Sequence, residues 1–162
     1  MKKIFRLILI LFFTIYVYSC SGYKPIFSSS ELNFNIAEYS LSGDKNLGNQ
    51  IYLKLYNLSQ TNINPADTKN IYLLINASKN KSATAKDNTG KILAYKINLT
   101  TKILIKDYTT EKEILNEQFS YSSSYNVQDQ YFETKNLENQ SIENLLQEAY
   151  QEIIIRLSEN IL

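Results

Sequence analysis

Across residues 91–106, apolar and polar side chains alternate along the chain. Leu93, Tyr95, Ile97, Leu99, Ile103 and Ile105 take odd positions, while Lys96, Asn98, Thr100, Lys102 and Lys106 take even ones. A period of two predicts a strand with one face in a core and the other in water. Residues 70–77 and 113–125 read as strands on either side of it in sequence, the second with Leu115, Phe119, Tyr121 and Tyr125 in phase. Asp87-Asn88-Thr89-Gly90 turns the first pair and residues 107–112 turn the second.

Upstream, Leu32, Phe34 and Ile36 alternate onto one face of a fourth strand over residues 32–41. A bulge before Tyr39 and Leu41 keeps the apolar positions together. Asp44 is placed to cap a helix running to about residue 59, where Leu47, Ile51, Leu55 and Leu58 form one stripe that Tyr52 and Tyr56 widen. Residues 62–68, with Pro65 and Asp67, read as a loop, and the polar stretch 128–139 reads as irregular. A last helix is expected over about residues 141–160, capped by Ser141, with Ile142, Leu145, Leu146, Ala149, Ile153, Leu157 and Ile161 as its core stripe. The order is strand, helix, three strands, helix. It predicts an α+β domain over residues 32–162: a four-stranded, mostly antiparallel sheet with both helices packed on one face.

The N-terminus follows a different pattern. Lys2, Lys3 and Arg6 lead into an apolar run of about 14 residues that ends at Val17-Tyr18-Ser19-Cys20. The run is short against the ~20 residues that a membrane-crossing helix needs. A basic start, a short apolar stretch and a small residue before the cut make residues 1–19 a signal peptide. Cys20, the only cysteine in the chain, stands where a bacterial lipobox would place the acylated residue. An uncleaved anchor is the competing interpretation. Residues 20–31, rich in Ser and carrying Pro25, then form a tether.

Composition narrows the chemistry. There is no histidine, so the usual general base near neutral pH and the commonest zinc ligand are both missing. No glycine-rich phosphate loop or nucleophile elbow occurs, and the carboxylates are scattered. The expectation is a protein that is not an enzyme and uses no cofactor or metal. Charge is segregated instead. Residues 69–106 carry eight lysines and one acid, whereas residues 107–162 carry three basic groups and eleven acids.

The hairpin between Ala77 and Leu93 presents Lys79, Lys81, Lys86 and Lys91 among small residues. These four are the candidate site for an anionic partner such as a phosphorylated lipid. The alternative is a solubilising edge strand, since lysines commonly blunt strand edges. Nucleic acid is not expected, because the basic stretch lacks interleaved aromatics. Tyr121, Tyr125, Tyr131 and Phe132 suit either a protein interface or ordinary half-buried packing.

Three stretches carry a family resemblance: Cys20-Ser21-Gly22-Tyr23-Lys24-Pro25-Ile26-Phe27, then Ser123-Ser124-Tyr125-Asn126 with Tyr131-Phe132-Glu133-Thr134, and Ile154-Ile155-Arg156-Leu157 near the end. With the order of elements, they make the chain resemble the lipopolysaccharide-assembly lipoproteins of the LptE family. The resemblance implies an outer-membrane protein, lipid-anchored at Cys20, that binds the barrel protein LptD and helps pass lipopolysaccharide to the cell surface. It further implies that lipopolysaccharide is a ligand, for which Lys79, Lys81, Lys86 and Lys91 are the candidates, and that Ser21 suits outer-membrane sorting. The alternative function is an auxiliary lipoprotein of a periplasmic lipid-transport system.

Overall fold

The computed structural model describes residues 32–61 and 68–161. The signal peptide, Cys20, the whole predicted tether and most of the predicted loop lie outside the described residues, as does the Ile161 side chain. The elements are β1 (Phe34–Gly43), α1 (Lys45–Thr61), β2 (Lys69–Lys86), β3 (Ile92–Asp107), β4 (Glu113–Asn126) and α2 (Tyr131–Ile161). They form a four-stranded sheet in the order β1-β2-β3-β4. β1 pairs parallel to β2, and the other two pairings are antiparallel. The β-α-β-β-β-α order and the mostly antiparallel sheet are as the hydrophobic pattern predicts.

The helices and the odd-numbered face of the sheet share one core. Leu47, Ile51 and Leu55 from α1 and Leu145, Leu146, Ala149, Ile153 and Leu157 from α2 bury against Ile71, Leu73, Ile75, Ile97, Leu99, Ile103 and Ile105. The expected bulge in β1 falls between Ile36 and Glu38, and brings Tyr39 and Leu41 into register with Leu73 and Ile75. Asp44 caps α1 as expected, its Oδ1 accepting the Asn46 and Leu47 amides at 3.1 and 3.2 Å. Both turns are built by an aspartate. Asp87 Oδ1 accepts Thr89 N–H at 2.8 Å and Lys91 N–H at 2.9 Å, and Asp107 Oδ1 accepts Thr109 and Thr110 N–H at 3.0 and 2.7 Å.

Three expectations are corrected. α2 begins at Tyr131, ten residues before Ser141, so residues 131–139 are helical and Ser141 is a buried mid-helix residue rather than a cap. β2 does not stop at Ala77 but continues to Lys86. Leu93, expected in the core, is 44% exposed. It sits where the β2–β3 register slips twice, between Ala83 and Ala85 and between Ala85 and Lys86, and this breaks the strict alternation.

Candidate functional site

The site follows from an inequality of strand lengths. β1 ends with Gly43 opposite Ala77, whereas β2 runs nine residues further. Among the described residues, that extension has β3 on one side and no strand on the other. Lys79 and Lys81 lie on it, opposite Leu99 and Ile97, and Lys86 lies at its end opposite Ile92. By strand alternation Lys79 and Lys81 point to the same face as Ile71, Leu73, Ile75 and Ala77, beyond the part that α1 covers. The lysines therefore mark an edge strand, and edge protection accounts for their number.

One of them does more. Lys81 Nζ donates to Glu138 Oε2 on α2 at 2.8 Å, and Lys135 Nζ lies 3.4 Å from the other oxygen of the same carboxylate. The ammonium also sits 4.1 Å from the centroid of the Tyr95 ring and 5.5 Å from that of Tyr125, a favourable place for a cation. The two rings lie 5.8 Å apart. Burial, the largest single influence, would lower the Lys81 pKa, but the hydrogen bonds and charges of Glu138 and Tyr125 together outweigh it and hold the ammonium above its ordinary value. The hydrogen bond from Lys81 holds the Glu138 carboxyl below the usual carboxylate value.

This ion pair forms one wall of an open groove of about 410 Å³ at the hairpin end of the sheet. Lys81, Lys91, Tyr95, Val127, Tyr131 and Glu138 line it, with Thr134 and Lys135 beside them. Of the four candidate lysines, the fold thus brings Lys81 and Lys91 to one groove. Lys79 and Lys86 are exposed on β2 and are not part of its lining. Glu138, Lys135 and Tyr95 are site residues that sequence reasoning missed. Residues 128–139 carry no apolar stripe, so nothing in the pattern placed a helix there to carry Lys135 and Glu138 across the sheet. Tyr125 is buried in the packing, while Tyr131 and Phe132 at the start of α2 are 82% and 71% exposed.

The groove combines cations, carboxylates and aromatic faces, which suits a ligand that carries both charge and an apolar body. Among the described residues, no group of three or more metal-ligating side chains is placed to hold an ion. No described helix is long and apolar enough to cross a membrane.

No protein-family signature matches the chain, and no curated protein does. Solved structures do match. An uncharacterized lipoprotein B from Nitrosomonas europaea has a TM-score of 0.53 at 12% identity, over 82% of this chain and 88% of that one. A candidate lipoprotein from Caulobacter crescentus has a TM-score of 0.52 at 14% identity, over 75% of this chain and 88% of its own. At such identities the likeness is one of fold, and the domain shares its fold with these two bacterial proteins.

Proposed function

We propose that the chain is an outer-membrane lipoprotein, anchored through acyl chains on Cys20, that binds the LptD barrel and assists lipopolysaccharide assembly at the cell surface. It acts by binding and positioning, without catalysis. The observation that carries this reading is the β-α-β-β-β-α fold, which two structures named as lipoproteins share over most of their length. The lipobox-like end at Val17-Tyr18-Ser19-Cys20 and the LptE-like stretches agree with it. Each acyl CH₂ contributes roughly 0.8 kcal/mol of membrane affinity, so two or more chains make a stable anchor.

Lipopolysaccharide would meet the hairpin end. Lys91 and Lys81 in the groove offer direct contacts, and Lys79 and Lys86 on the edge strand add attraction over about a Debye length, ~8 Å at physiological salt. Depletion of the chain in cells tests the proposal. Correctly assembled barrel and surface lipopolysaccharide should fall together. Normal levels of both after depletion would contradict it.

A further inference from the structure

The lysine best placed to hold an anion in the groove is already holding one. Glu138 accepts from Lys81 at 2.8 Å and lies 3.4 Å from Lys135, with only 13% of its side chain exposed. The part of α2 that carries it is weakly attached. Tyr131 and Phe132 point largely into solvent, Leu137 is half-buried, and the buried stripe begins only at Ser141, Leu145 and Leu146. Besides the ion pair, the first turns are tied down by the Gln128 amide, which donates to Thr134 Oγ1 at 2.8 Å. Tyr125, 6% exposed, holds its ring 5.5 Å from the same Lys81 ammonium. A helix segment with so few buried apolar contacts belongs to the low-stability end of a fold, where local opening is cheap.

We propose that Glu138 is an internal competitor: its carboxylate occupies Lys81 and Lys135 in place of a ligand anion, and its displacement frees the first turns of α2 to lift from the Tyr95–Tyr125 floor. The contact is autoinhibitory. An incoming anion that takes Lys81 releases Glu138, and the helix segment follows. That a phosphate of lipopolysaccharide is the displacing group rests on the function proposed above; the latch itself rests on geometry alone.

Two variants of the full chain in detergent separate the possibilities. Glu138→Gln and Lys81→Met both break the ion pair. Amide exchange over residues 131–140 should accelerate at least about twofold in each, the scale set by loss of a single partly exposed pair, while residues 145–157 keep their protection. Glu143→Gln, on the same helix, should change neither. Lipopolysaccharide binding should then move in opposite directions. Glu138→Gln should tighten it about twofold to fivefold, and Lys81→Met should weaken it. Unchanged exchange over 131–140 in both variants would overturn the latch. Accelerated exchange without a gain in affinity for Glu138→Gln would overturn the competition. If neither parent nor variants bind lipopolysaccharide, the lipid reading fails, and the exchange data still decide whether the latch exists.

Discussion

Gly43 joins β1 to α1 with a backbone φ of +72°, and a Cβ built there would collide with the carbonyl oxygen of Ala77. That oxygen also accepts the Asp44 amide at 2.7 Å, so it is not free to move. Gly90 has a similar φ of +86° but open space around it. Both glycines meet the left-handed penalty on substitution, and only Gly43 meets a clash as well. Gly43→Ala should therefore cost more than ~3 kcal/mol and Gly90→Ala about 1 kcal/mol, read as the shift in urea midpoint. Equal costs would mean that the backbone at Gly43 can give. Thr101 presents the opposite case. It is fully buried opposite Phe119, and its hydroxyl has no hydrogen-bond partner among the described residues. Replacing the hydroxyl by a methyl removes a desolvation penalty at nearly constant shape. Thr101→Val should leave stability unchanged or raise it by roughly 1 kcal/mol, and a loss of that size would indicate a partner for the hydroxyl.

The elements differ in how far the sequence revealed them. β3 was legible because its two faces meet different media over 16 residues. α1 was legible because its stripe begins directly after a capping aspartate. The outer half of β2 was not, because its side chains are exposed: without burial, Lys79 to Lys86 have no apolar phase to keep. The start of α2 was hidden for the same reason. Its first turns are held by Glu138 and Thr134 rather than by an apolar stripe. Burial also sets which substitutions matter. Leu145 is 1% exposed on α2, whereas Lys102 faces water on β3. Leu145→Asp should cost ~4 kcal/mol or more, and Lys102→Asp within about 0.5 kcal/mol. A parent-like melt for Leu145→Asp would contradict the packing of α2 on the sheet.

The tie between β2 and α2 also has a pH signature. Glu138 titrates below its ordinary value, so its contribution is present above the unfolded carboxylate pKa and is lost as pH falls through the lowered folded one. Lys81 titrates above its ordinary value, so its contribution is present below the unfolded pKa and is lost as pH rises through the raised folded one. Between about pH 5 and 10 the pair is constant. The difference in melting temperature between parent and Glu138→Gln should be flat from pH 5 to 9 and shrink below about pH 4. A difference that grows on acidification would place the stabilising charge elsewhere.

At the scale of the whole molecule, charge and cover divide the domain. Lysines 96, 102 and 106 lie on the sheet face away from the helices, beside the hydroxyls and amides of β2 and β4. The acids gather on α2, which carries Glu133, Glu138, Glu143, Glu148, Glu152 and Glu159. That polar sheet face, which no described helix covers, is a broad surface. Four strands at ~4.8 Å spacing and some ten residues of ~3.3 Å each span on the order of 600 Å². That approaches the ~800 Å² that one partner contributes to a standard protein interface. The candidate lipid site, by contrast, was only half legible. The lysines were visible as a cluster, but that the fold would split them between a groove and an edge depended on where β1 stops.

The function proposed above has this domain working in complex with an outer-membrane barrel. Affinity purification of the full chain from detergent-solubilised outer membranes tests it most directly. If the proposal holds, the LptD barrel is recovered with the chain in near-equal amounts, and the complex survives a high-salt wash. Recovery of the chain alone, from membranes in which the barrel is present and assembled, would contradict it.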